Sequence, residues 1–172
     1  MFRVNVAALR PRASLRVEQE IPASDALWAD SDLVFGGSVR VELCLTRTNA
    51  GEVLARGVLA ANAVHACRRC LERVEQPLRL GIELLWATPV GVGSDPDGGA
   101  DLRVLEPGSI EIEWGEAVRE ELMLAGPRYV LCSEGCQGLC PRCGANRNQE
   151  PCGCVTDEAD PRWEALRALN SE

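Results

Sequence analysis

A chain of 172 residues, 46% apolar and 26% charged, has room for one ordinary core and a small appendage, which excludes wholesale disorder and makes two full domains a squeeze. No apolar run approaches the roughly 20 residues of a membrane span, and the opening residues lack the apolar stretch and cleavage site of a secretory leader, so a cytoplasmic protein without a membrane partner is expected. The net charge of −8 excludes a general attraction to phosphate.

That charge is uneven. Residues 1–90 carry 11 Arg against 10 acids, whereas 91–172 carry 7 Arg against 16 acids. Between Asp95 and Glu121, nine carboxylates face two arginines, which reads as a solvated loop and helix face in preference to paired catalytic acids or a docking surface.

Met1-Phe2-Arg3-Val4-Asn5-Val6 alternates like a strand. From Gly37 onward Val39, Val41, Leu43 and Leu45 alternate with Arg40, Glu42, Cys44 and Thr46, the period of a half-buried strand. Thr48-Asn49-Ala50-Gly51 then supplies a turn. Val58, Ala60, Asn62 and Val64, and later Leu78, Leu80, Ile82 and Leu84, predict further strands, so 33–86 reads as an antiparallel meander within a β-rich core over 1–90. Glycines and Asp95-Pro96-Asp97 mark 91–108 as a flexible acidic loop. In 109–127, Ile110 and Ile112 alternate briefly, then Trp114, Val118 and Leu122 recur every four residues. This predicts a strand and an amphipathic helix, ended by Gly126-Pro127, whose apolar stripe covers the sheet. Segment 128–172 holds a cysteine-rich zinc knuckle and a terminal helix, with Asp160 as cap, Pro161 in the first turn, and Trp163, Leu166 and Leu169 as its docking face. The expected class is α+β: an antiparallel sheet covered by one or two helices, with a metal-binding C-terminal segment and no internal repeat.

There are nine cysteines, and in a reducing compartment metal explains them better than disulfides. Six of them fall at Cys132, Cys136, Cys140, Cys143, Cys152 and Cys154; Cys67 and Cys70 form a second CxxC upstream. In Cys140-Pro141-Arg142-Cys143-Gly144 a tight turn aims two thiolates at one ion, and the glycine lets the backbone curl beneath them. Eight thiolates make two closed tetrahedral sites: Cys140, Cys143, Cys152 and Cys154 on one zinc, and Cys67, Cys70, Cys132 and Cys136 on a second that ties the tail to the sheet. The alternative is a single zinc with the remaining thiols reduced. The spacing matches neither familiar ferredoxin pattern, which favours zinc over an iron–sulfur cluster. With no open coordination position the sites are structural, and no enzyme is expected. Cys44 reads as a small half-buried thiol. His65, the single histidine, is a substitute ligand the count does not need.

Four pieces of the chain resemble the YceD family, bacterial and plastid proteins linked to accumulation of large-subunit ribosomal RNA. They are Cys67-Arg68-Arg69-Cys70-Leu71; Glu120-Glu121-Leu122-Met123-Leu124-Ala125-Gly126-Pro127 leading to Leu131-Cys132; Gly138-Leu139-Cys140-Pro141-Arg142-Cys143-Gly144-Ala145-Asn146-Arg147-Asn148; and Asp160-Pro161-Arg162. Together they cover about residues 67–169, with one departure at Arg147, where family members often carry leucine. The resemblance implies a ribosome biogenesis factor with no reaction of its own, binding pre-ribosomal large-subunit RNA or a ribosomal protein. Arg68, Arg69, Arg73, Arg142 and Arg147, beside the cysteines, are the candidate RNA contacts. Two competing functions stay open: a redox enzyme or sensor cycling Cys67 and Cys70, and a zinc-ribbon module of the transcription machinery.

Overall fold

The computed structural model describes residues 2–7, 9–10, 13–88, 101–106 and 108–154. In chain order these form β1 (Arg3–Asn5), β2 (Ser14–Ile21), a 3-10 turn (Ala26–Trp28), β3 (Val39–Arg47), β4 (Val53–Ala66), β5 (Arg73–Ala87), β6 (Asp101–Val104), β7 (Glu111–Glu113) and α1 (Gly115–Ala125). The fold is α+β, with a mostly antiparallel sheet and one helix among the described residues. The terminal helix expected from Asp160 onward lies outside them.

Five strands hydrogen-bond in the order β2-β3-β4-β5-β6. The β2–β3 and β3–β4 pairs are antiparallel, with Leu43 facing Val17 on one side and Gly57 on the other. Beyond the meander read over 33–86, β6 joins the edge of the sheet parallel to β5, Leu85 opposite Leu102. The sheet is therefore mixed. The same finding removes 101–104 from the loop expected over 91–108, of which 91–100 and 107 lie outside the described residues.

Val39, Val41, Leu43 and Leu45 are buried, as period-2 alternation demands. In β4 the inward set is Val53, Ala55, Leu59, Ala61 and Ala63, one position out of step with Val58, Ala60 and Val64, which are half-buried. Periodicity alone could not choose, because both sets are apolar and small. Ile82, Leu84 and Trp86 continue the buried face, and Trp114 at the start of α1, with Ala117, Val118 and Leu122 within it, joins the same cluster. Each fully buried leucine is worth about 1.5–3 kcal/mol, so this shared face stabilises the sheet and helix together.

A second, two-stranded sheet pairs β1 with β7, Val4 opposite Ile112. Trp114 donates its N–H to the Phe2 carbonyl at 2.9 Å, and the two rings meet edge to face at 5.3 Å. The Glu113 carboxylate accepts from the N–H groups of Gly115 and Glu116 at 3.0 and 3.3 Å, satisfying two orphan donors at the start of α1. No helix among the described residues is long and apolar enough to cross a membrane.

The chain packs as two compact units. Met1–His65 with Val74–Arg128 form the first; among the described residues, Ala66–Arg73 with 129–154 form the second. The β4–β5 connection, which lies within the 1–90 segment, thus groups with the cysteine-rich stretch and not with the strands it joins. The first unit holds the whole apolar cluster.

Two glycines are sterically required. A Cβ on Gly57 would lie 1.9 Å from the Glu42 carbonyl oxygen, and one on Gly115 would lie 2.8 Å from Phe2. Gly57→Ala is expected to destabilise the first unit by at least the ~1–3 kcal/mol typical of overpacking, and Gly115→Ala by less, because a side chain yields more readily than backbone. Urea unfolding midpoints of the two variants against the parent chain measure both effects.

Candidate metal centres

The two CxxC segments share one backbone arrangement. Cys67 donates its N–H to the Glu72 carbonyl at 2.8 Å and Leu71 donates to the Cys67 carbonyl at 2.9 Å; Cys140 donates to Ala145 at 2.8 Å and Gly144 to Cys140 at 2.9 Å. In each, the residue after the second cysteine is left-handed, with φ of 62° at Leu71 and 75° at Gly144. This closed loop turns both sulfurs to one side and aims backbone donors at them; Arg69 donates its N–H to Cys67 Sγ at 3.5 Å. Glycine at 144 announces such a turn. Leucine at 71 conceals it, since a side chain in that region costs about 1–2 kcal/mol and is rarely used.

The first knuckle meets the loop that follows α1. Cys67, Cys70, Cys132 and Cys136 place their sulfurs within 4.8 Å of one another, as do Cys140, Cys143, Cys152 and Cys154. Cys67 and Cys136 sulfurs are 3.8 Å apart, and those of Cys70 and Cys132 are 3.5 Å apart. A tetrahedral ion with bonds of about 2.3 Å to thiolates sets sulfur–sulfur edges of about 3.8 Å. A disulfide would need about 2.05 Å. The two groups are therefore positioned to hold metal ions, and together they take in all eight expected ligands.

The ninth cysteine, Cys44, is exposed, which corrects the half-buried expectation. With Val39, Val41, Leu43 and Leu45 turned into the core, every even position of β3 faces away from it. His65 joins neither group; its Nε2 is buried without a hydrogen-bond partner.

Backbone bonds hold the first group's segments together. Arg68 donates its N–H to the Val130 carbonyl and Leu139 donates to the Arg69 carbonyl, both at 2.9 Å. The Arg69 guanidinium reaches the Cys136 carbonyl at 3.0 Å. Gly138, with φ of 71°, passes so close that a Cβ would touch the Arg69 carbonyl oxygen at 3.0 Å. Two side chains that sequence reasoning left unassigned complete the frame. Asn148 donates its Nδ2 to Cys136 Sγ at 3.4 Å, and the Glu72 carboxylate accepts from Asn146 at 3.1 Å and Gln149 at 2.8 Å. An amide two residues from another amide after a knuckle was the only available hint.

Enclosure differs between the groups. Cys67, Cys70 and Cys136 are buried and Cys132 is exposed; in the second group only Cys140 is buried. Burial opposes the Cys67 thiolate, yet N–H groups of Cys70, Arg69 and Cys132 outweigh it and bring the thiol down to about 6. Cys70 receives the Glu72 N–H, but burial and protons shared with Cys67, Cys132 and Cys136 push it up to about 12. Likewise the N–H groups of Cys143 and Arg142 lower Cys140 to about 6, while sharing with Cys143 and Cys140, together with burial, raises Cys154 to about 12. Without an ion, four close sulfurs cannot all ionise. A divalent cation removes that conflict.

All five candidate RNA-contacting arginines, Arg68, Arg69, Arg73, Arg142 and Arg147, are exposed. Arg69 is partly committed to the Cys136 carbonyl. Arg147 lines a cavity of about 170 Å³ with Gln137, Pro151, Cys152 and Cys154.

The shared knuckle geometry makes opposite predictions for its two left-handed residues. Leu71→Gly is expected to raise stability by about 0.5–1 kcal/mol and Gly144→Leu to lower it by about 1–2 kcal/mol, read from denaturation midpoints of the metal-loaded chain. Acid acts on the ion itself. Protons and metal compete for the same thiolates, so affinity falls as pH falls. In the metal-free chain the stabilisation from ionised Cys67 and Cys140 is complete above the ordinary thiol range and lost as pH drops through about 6. A chromogenic chelator following metal release from pH 8 to pH 4 should record increasing release, and a flat profile would contradict thiolate ligation.

Comparison with known proteins places these residues in a family. The family model described as large ribosomal RNA subunit accumulation protein YceD matches residues 55–170. An uncharacterized protein of Mycobacterium tuberculosis is 30% identical over 114 residues, covering 66% of this chain and 54% of that protein. One from Mycobacterium leprae is 23% identical over 167 residues, covering 96% of this chain and 75% of its own length. The chloroplastic large ribosomal RNA subunit accumulation protein YCED homolog 1 of Arabidopsis thaliana is 23% identical over 155 residues, covering 86% of this chain and 47% of that protein. The chain thus spans about half the length of the first of these relatives and of the plant protein. No solved structure gives a significant match. With two thirds of its length matched, knuckles included, the chain belongs to the YceD family.

Proposed function

We propose that this chain is a non-enzymatic cytoplasmic factor of large-subunit ribosome biogenesis, and that its two four-cysteine groups hold structural zinc. The family match over residues 55–170 carries the first part, because the family's own description is large ribosomal RNA subunit accumulation. The partner is a precursor of the large subunit, engaged through its RNA or through a ribosomal protein.

The donor sets support the second part. Four thiolates around one point satisfy zinc completely and leave no position for the water that a catalytic ion would activate. Drawing Cys67 and Cys70 into a group with Cys132 and Cys136 also favours a staple over a free dithiol that cycles with a disulfide.

Depletion of the protein should lower large-subunit ribosomal RNA relative to small-subunit RNA, and the tagged chain should co-sediment with precursor large-subunit particles. Unchanged RNA together with sedimentation only at the top of the gradient would overturn the assignment. Elemental analysis of the purified chain should return two zinc ions per molecule; iron in their place, or a metal-free chain, would overturn the structural-zinc reading.

A further inference from the structure

The loop between the two cysteine groups belongs to both. Residues Ala145–Gln149 leave the second knuckle, where Cys140 donates to the Ala145 carbonyl, and carry Asn148 to the first group. There its Nδ2 donates to Cys136 Sγ at 3.4 Å and to Asn146 Oδ1 at 2.8 Å. Its own Oδ1 accepts the Gln137 N–H at 2.7 Å. That last bond fixes the orientation of the amide: reversing it would set an NH2 against an N–H and an oxygen lone pair against the sulfur. Asn146 is fixed in turn, since its Oδ1 also accepts the Asn148 N–H at 3.0 Å and its Nδ2 donates to Glu72, next to the first knuckle.

Resting on the metal reading above, we infer that Asn148 is the positioning residue for the Cys136 thiolate, and that filling the second cysteine group precedes and strengthens metal binding at the first. The reason is geometric. An outer donor aimed at a thiolate stabilises its charge and holds its direction, and loss of such partners typically weakens metal binding about 10–100-fold. Here that donor sits on a loop closed by the second knuckle. The second group spans only Cys140 to Cys154, so it assembles locally, whereas the first must bring together residues 62 and 69 positions apart. Metal at the second site orders the turn that presents Asn148 to the first.

The test is cobalt(II) titration of the full-length, metal-free chain, reading thiolate-to-cobalt absorption. The parent chain should fill in two steps. Cys67→Ser with Cys70→Ser should keep the tighter step, and Cys143→Ser with Cys152→Ser should leave one site weakened at least about fivefold relative to its value in the parent. Asn148→Ala should leave the first step unchanged, which also reports an intact fold, and weaken the second about 10–100-fold. Asn148→Asp separates a donor to sulfur from a mere loop brace: it keeps the shape and the acceptor for Gln137 but turns an oxygen toward Cys136. It should bind worse than Asn148→Ala. Binding by Asn148→Asp equal to the parent, or a first group undiminished when the second is removed, would overturn the inference while leaving both metal sites standing. An absence of cobalt–thiolate absorption in the parent chain would remove the metal reading itself.

Discussion

Everything in the second unit depends on sulfur atoms gathered around two points. Its buried hydrophobic residues among those described are Cys67, Cys70, Cys136 and Cys140, with Val130 as the single aliphatic one. None of these joins the apolar cluster of the first unit. The described part of this unit therefore has little apolar burial to set against its conformational entropy. Bringing Cys70 to Cys132 closes a loop of 62 residues, an entropic cost of about 4 kcal/mol by simple chain statistics. On the zinc reading proposed above, ions held in small thiolate sites at about 10–16 kcal/mol would suffice to close that loop and order the turns around it. On that reading, coordination would do for the described part of the second unit what the apolar cluster does for the first.

The first unit follows the more familiar rule. One face of the mixed sheet and one stripe of α1 exclude water together, and the small β1–β7 sheet joins the N-terminal residues to the start of the helix. Phe2 shows how closely the pieces are fitted. Its carbonyl receives the Trp114 N–H, its ring meets that of Trp114, and its side chain occupies the space that leaves Gly115 no room for a Cβ.

What could be read from the sequence divides along the same physical line. The alternation through Val39–Leu45 and the four-residue spacing of Trp114, Val118 and Leu122 are local signals, and they correspond to β3 and α1. The cysteine spacings were legible because a thiolate has few other reasons to recur in pairs. Long-range or ambiguous features were not. The short alternations around Val4 and Ile112 mark β1 and β7 as strands, but nothing local pairs them, because their partners lie more than a hundred positions away. The parallel course of β6 is set by pairing with the distant β5, not by any pattern within Asp101–Val104. The burial register of β4 was hidden because alanine and valine occupy both faces. The left-handed turn at Leu71 carries no residue signal at all, and it became recognisable only when its hydrogen bonds matched those around Gly144.

That match bears on how the two sites differ. The knuckles share their hydrogen bonds and differ in the residue at the left-handed position; beyond that strain, the two sites differ in their partner cysteines and the surroundings of these. Cys152 and Cys154 follow their knuckle in the chain and stay half-buried, whereas Cys132 and Cys136 reach theirs from a distant segment, Cys136 accepting from Arg69 at its carbonyl and from Asn148 at its sulfur. A local site exchanges its ion without disturbing much else. On the metal reading proposed above, a site built from two distant segments would release its ion only by letting those segments part, and the loop from Ala145 to Gln149 would carry that change between the groups, because it runs from the second knuckle to the Cys136 sulfur of the first.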